Sequence, residues 1–264
     1  MAENCQNCNE IITGSFCSNC GQKKYKRIDK KYIWDEIQYT VLHTNKGLLY
    51  SIKSILKNPG KTAKEFIDGN RVNHYKPILL VFVLSGLSTF LSFKVLNLKE
   101  LMTNYFAKQN LNSDLMVDIF SSFSSYNAIL MLVSLPLFAI TTKIAFNNWK
   151  HNFYEHIVMN AYILSFYTLI SIIVVYPFMF MFRHSPEIFF TITQYSSILV
   201  PLILVWFFKG FYHDKPLKTI ILKVFLSLML TIIGFIVFIV FFSLLLAGYV
   251  KIFGADALHY VKPH

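Results

Sequence analysis

NKGLLYSIKSILKNPGKTAKEFIDGNRVNHYKP, residues 45–77, governs how the rest of the 264-residue chain is read. It is basic, amphipathic and punctuated. Asn45 predicts a helix start, and Leu48, Leu49, Ile52, Ile55 and Leu56 recur at helical spacing on one face. Lys46, Lys53 and Lys57 lie off that face. Pro59-Gly60 ends this helix. A second short helix follows, with Ala63, Phe66 and Ile67 apolar and Gly69 just past its end. Basic amphipathic helices directly before a long apolar run are expected on a membrane surface; a small soluble bundle is the alternative. Arg71, His74 and Lys76 close the stretch as candidate contacts to anionic lipid, beside the plainer reading of an ordinary cationic flank.

Downstream the sequence is mostly membrane. Apolar runs cover residues 77–93, 127–146, 157–182, 188–208 and 224–250. Each approaches or exceeds the roughly 20 residues needed to cross the hydrocarbon. Pro136, Pro177 and Pro201 fall inside these runs, where neighbouring helices can satisfy the freed carbonyls. The polar, serine-rich segment 94–126 is expected to hold one short amphipathic helix. Composition agrees: 15% of residues are charged, against roughly 25% in soluble domains. The net charge of +11 sits largely in the first 76 residues and the loops, which points to lipid headgroups rather than nucleic acid. There is no internal repeat and no inverted pair of broken helices, which weakens a transporter reading.

Upstream, Cys5, Cys8, Cys17 and Cys20 form two CxxC knuckles within residues 1–22. Such spacing puts four thiolates on two tight turns, a tetrahedral site for structural Zn²⁺. Gly14 and Gly21 suit those turns. The segment is too short to bury a core, so the metal would hold it folded. A pair of disulfides is the alternative, and iron in the same four-thiolate site stays open. Residues 23–31 are a basic linker, and Ile33, Trp34, Ile37 and Val41 follow helical spacing. The expected architecture is therefore an all-α polytopic membrane protein of about five transmembrane helices. Its parts are a zinc ribbon (1–22), basic juxtamembrane helices (23–76), a transmembrane domain (77–250) and a short tail (251–264).

Chemistry-bearing residues are few. Glu155 and His156 open the third run; His151 and Glu155 share a helical face, as do His156 and Asn160. Such a pair can bind a metal or move a proton, but the HExxH of a zinc protease is absent. The bland reading is an interfacial pair that anchors the helix on Lys143, Lys150 or the juxtamembrane helices. No Asp, Glu, Lys or Arg lies mid-run, as ion-coupled transport usually requires. Asn160, Gln194 and scattered hydroxyls are the polar handles, read first as helix contacts.

Residues 14–22 (GSFCSNCGQ) followed by the 45–77 stretch resemble the bacterial membrane family catalogued as domain of unknown function 3667. The segment NFYEHIVMNAYILSF, residues 152–166, also resembles the family's Glu-His motif, and KGFYHDKPLKTI, residues 209–220, is a looser match. The resemblance implies a zinc ribbon, several spans and a bacterial inner membrane, and no reaction. The expected function is non-enzymatic: a membrane-anchored binding, scaffold or regulatory protein that meets a cytoplasmic protein partner as well as anionic lipid. A small-molecule or lipid transporter component is the alternative, and a membrane enzyme using Glu155 and His156 comes third. Cationic flanks favour a cytoplasmic N-terminus. Lys57, Lys61, Lys64, Arg71, Lys76, Lys143, Lys150, Lys209, Lys215, Lys218 and Lys223 fall inside. Lys94, Lys99, Lys108, Arg183, Lys251 and Lys262 fall outside, 11 against 6.

Overall fold

The computed structural model describes residues 3–24, 27–30, 32, 47–108 and 113–253. The helix expected over 33–41, the Asn45 cap and most of the 251–264 tail lie outside these residues. Two strands, β1 (Glu3–Asn4) and β2 (Ile11–Ile12), pair antiparallel in the ribbon. The helices are α1 (Leu48–Lys57), α2 (Pro59–Ile67), α3 (Pro77–Lys94), α4 (Leu98–Lys108), α5 (Ser113–Ser125), α6 (Asn127–Ala145), α7 (Phe153–Ile170), α8 (Tyr176–Met181), α9 (Pro186–Ser196), α10 (Leu199–Phe211) and α11 (Leu217–Phe253).

Five of the described segments are long and apolar enough to cross a membrane: Pro77–Lys94, Asn127–Ala145, Phe153–Met181, Pro186–Phe211 and Leu217–Phe241. The chain is an all-α polytopic membrane protein. Large side chains such as Val133, Leu137, Phe225, Phe235 and Val237 point outward, as lipid-facing residues must. The prolines shape these spans. Pro177 has no N–H for the preceding turn, and a π-helical turn, Ser171–Val175, joins α7 to α8. Pro201 likewise cannot bond Ser197; Val200 N bonds the Ser197 carbonyl at 3.1 Å instead, and the span breaks between α9 and α10. Segment 94–126 forms two helices, α4 and α5, where the sequence predicts one. Leu101, Met102 and Phe106 on α4 and Val117 on α5 give each a buried side.

The apolar face of α2 packs on protein, where a membrane surface is the expectation. Asn58 caps α2, accepting from Lys61 N at 2.9 Å, with Pro59 in the first turn. So the Pro-Gly pair that ends α1 also starts α2. The α2 face of Ala63, Phe66 and Ile67 is buried in one core with Tyr162 of α7 and Phe207, Phe208 and Phe211 of α10. That face is filled by protein and is not open to lipid. A Cβ on Gly60 would sit 2.6 Å from Phe211 N and closer still to the Phe207 carbonyl oxygen, so α2 and α10 cross backbone to backbone. The predicted apolar face of α1 divides. Ile55 is buried and Leu48 and Ile52 pack on the core, while Leu49 and Leu56 are exposed beside Lys53 and Lys57.

The spans alternate between two ends. Gly60, Glu155 and Phe211 share the end that holds the ribbon, through α2 and Arg27. Thr89 near the end of α3 meets Ser124 just before α6. At its other end α6 stops at Phe146, stacked 4.1 Å from Phe208. The second apolar run therefore extends from the far end of the bundle to the ribbon end.

Candidate metal centre and its junction with the spans

The two knuckles are built alike. Cys5 N bonds Glu10 O and Asn9 N bonds Cys5 O; Cys17 N bonds Gln22 O and Gly21 N bonds Cys17 O. The fourth residue after the first cysteine of each knuckle is left-handed: Asn9 at φ 60° and Gly21 at φ 73°. Gly21 is used as its sequence position predicts. Gly14 is not left-handed; Asn9 takes that role, which asparagine tolerates through its short polar side chain.

The four cysteines are free, and their Sγ atoms lie within 4.8 Å of one another. Cys5 and Cys20 are 3.6 Å apart and Cys8 and Cys17 3.5 Å. A tetrahedron with Zn–S bonds of about 2.3 Å has S···S edges of about 3.8 Å, so the four thiols fit a metal ion. The Asn7 side chain and the Gln22 backbone N–H lower the Cys20 pKa, while burial and the neighbouring thiols raise that of Cys8.

The ribbon is joined to the helices by side-chain amides. Gln22 is buried; its Nε2 donates to the Gly69 carbonyl and its Oε1 accepts from Arg71 N at 3.3 Å. Asn73 Nδ2 donates to Asn7 Oδ1 at 3.0 Å, so Asn7 bridges the Cys20 thiol and the turn after α2. Gly69 makes that turn possible at φ 116°. The linker docks as well. Ile28 is fully buried in the main core, and its carbonyl accepts from Asn152 Nδ2 at 2.9 Å. Tyr32 packs edge-on against Phe66.

Glu155 belongs to this junction. Asn152 and Glu155 form a reciprocal capping box at the start of α7. The Glu155 carboxylate accepts from Asn152 N at 2.7 Å, from Arg27 Nε at 2.9 Å and from Arg27 Nη2 at 3.1 Å; Arg27 Nη2 also donates to the Lys150 carbonyl. The Asn152-x-x-Glu155 spacing carries this signal in the sequence. Arg27 carries none, since its partner is 128 residues away. His156 turns elsewhere. Its Nδ1 lies 3.2 Å from Thr142 Oγ1, which also accepts from Asn160 Nδ2 at 2.9 Å. The structure therefore separates Glu155 from His156, and no bond joins them among the described residues. His151 meets the Tyr212 hydroxyl at 3.0 Å; burial lowers the His151 pKa and raises that of Tyr212.

The anionic-lipid trio also separates. His74 is buried, edge-on to Tyr50 and Phe66, and burial lowers its pKa to about 4. Burial favours its neutral form. The Arg71 guanidinium lies over the Tyr32 and Phe66 rings and bonds the Phe66 and Ile67 carbonyls at the end of α2. Lys76 is half-buried at the start of α3.

Residues 45–89 match the family described as Protein of unknown function (DUF3667). That is the family the sequence resembles. No curated protein and no solved structure matches the chain. The DUF3667 segment comprises α1, α2, the 69–76 turn and the first part of α3, which are the elements that receive the ribbon and pack it onto the spans.

Proposed function

We propose that the chain is a non-enzymatic, membrane-anchored regulatory or scaffold protein of the bacterial inner membrane, with a zinc-loaded ribbon on its cytoplasmic face. The observation that carries this reading is the wiring of the cysteine cluster into the spans. Asn7 and Gln22 leave the knuckles to bond the DUF3667 turn, and Arg27 leaves the linker to bond Glu155 at the start of the third span. Cys5, Cys8, Cys17 and Cys20 would hold the ion, which supplies the bonds that keep so small a module folded. A cytoplasmic protein partner would then meet a ribbon whose position reports on the bundle. The cationic flanks at the ribbon end support the cytoplasmic placement, and a reducing compartment keeps thiols free. The enzyme reading loses support because Glu155 already accepts from three donors.

A second reading rests on a cavity of about 480 Å³ between α6, α7, α10 and α11, lined among others by Thr142, Asn160, Ser227 and Thr231. It favours a component that handles an apolar small molecule or lipid. Gln194 is exposed on α9 and takes no part in it.

Crosslinking and affinity purification from native membranes separate the two. For a ribbon-mediated scaffold, specific partners crosslink to the full chain and vanish when residues 1–22 are removed. An unchanged partner set in the shortened chain, together with loss of substrate handling in Asn160→Leu, supports the second reading instead.

A further inference from the structure

We infer that the end of the bundle opposite the ribbon carries a phosphate-binding site, in a cavity of about 720 Å³ between the turn after α3 and the turn between α8 and α9. Lys94, Lys108 and Arg183 line it with Glu100 as the one carboxylate, and the ion pair of Lys108 with Glu187 leaves Lys94 and Arg183 as its unpaired cations among the described residues.

The walls are fixed from below. Leu96 is buried with Leu101, Met179 and Phe189, which anchors the turn beneath the cavity. Asn97 closes that turn in the left-handed region at φ 55°, and its Nδ2 donates to Glu100 Oε2 at 2.9 Å. Arg183 is held on the opposite wall, its guanidinium 4.2 Å from the Phe180 ring centroid and its Nε 3.2 Å from His184 Nε2. These contacts orient the side chain and leave the Nη groups with no hydrogen bond among the described residues. Lys94 has no hydrogen bond or ion pair among them either, whereas Lys108 pairs with Glu187 at 3.4 Å. The cavity thus presents a pre-oriented planar donor and a second free cation, the combination that recognises a phosphate group.

Position sharpens the ligand class. Lys94 is the last residue of the first span, and Arg183–Pro186 join the third span to the fourth, so the site lies at headgroup depth. With the ribbon inside, it lies on the side where topology disfavours clustered cations. An anionic ligand gives those cations a reason to be there. The shared chemistry is a phosphate group, supplied by an anionic phospholipid or by a free phosphate.

Native mass spectrometry of the detergent-solubilised full chain, offered phosphatidylglycerol and phosphatidylcholine in equal amounts, tests the lipid source. Calorimetry with inorganic phosphate tests the free one. Expected is selective retention of phosphatidylglycerol, weakened about tenfold in the double variant Lys94→Gln, Arg183→Gln. Retention should be unchanged in Lys99→Gln, whose exposed side chain lies outside the cavity. Phosphate binding lost in the double variant, without lipid selectivity, places the same site on a soluble ligand. A wild-type protein that shows neither selectivity nor phosphate binding overturns the inference. So does selectivity that survives in the folded double variant.

Discussion

Arg27 and Glu155 are unequal partners. The Glu155 side chain is 5% exposed and that of Arg27 57%. Removing the arginine leaves a buried carboxylate without its counter-charge, the costlier way to break such a pair. Replacing Glu155 by glutamine keeps the capping-box acceptor and removes the charge. Arg27→Ala should therefore cost about 1–3 kcal/mol, discounted for the exposed guanidinium, and exceed the cost of Glu155→Gln. Thermal unfolding of both variants in one detergent checks the order. His74 gives a pH signature at the same scale. Its pKa falls from 6.5 to about 4 on folding, so the unfolded chain takes up the proton first as pH drops. Its contribution is intact above pH 6.5 and is lost progressively as pH falls through 6.5 towards 4. The loss is on the order of 3 kcal/mol at the low end. His74→Phe, which keeps a ring between Tyr50 and Phe66, should flatten the melting temperature between pH 7 and 5 relative to wild type.

At the scale of elements, the crossing of α2 and α10 depends on two glycines that are not equivalent. A Cβ on Gly60 meets backbone atoms of Phe207 and Phe211, which cannot step aside, whereas a Cβ on Gly210 meets the Asn58 side-chain oxygen at 2.5 Å. Gly60→Ala should separate the helices and lower the yield of folded protein sharply. Gly210→Ala should cost about 1 kcal/mol through the disturbed Asn58 cap. Size-exclusion profiles and melting temperatures rank them. This crossing also marks the limit of sequence reading. Hydrophobic runs and prolines located the spans, because length and apolarity act locally. The four cysteines announced their cluster by spacing alone. The destination of the α2 apolar face was not legible, since a basic amphipathic helix looks the same whether lipid or protein covers it. The Asn152-x-x-Glu155 spacing holds a capping-box signal that the sequence analysis passes over, because His156 directs attention to a charged pair. Arg27, Gln22 and Asn7 were hidden among ordinary polar residues, because their partners are brought to them by the tertiary fold.

For the whole molecule, odd span number and ribbon placement are linked. The loops after α6 and α10 lie at the ribbon end, and the segment from α4 to α5 at the other. Reporter fusions after Phe146 and Phe208 should give cytoplasmic signals and one after His264 a periplasmic signal. A cytoplasmic signal after His264 would refute the fifth crossing. We propose that a metal-held ribbon is fastened to the spans through the DUF3667 turn and the Arg27–Glu155 pair. Hydrogen–deuterium exchange on the full chain in lipid nanodiscs tests it most directly, comparing zinc-loaded wild type with Cys17→Ser. The expected result is faster exchange in the ribbon and also in peptides covering residues 69–75 and 150–156. Deprotection confined to residues 3–24, with the turn and the start of α7 unchanged, would contradict the account.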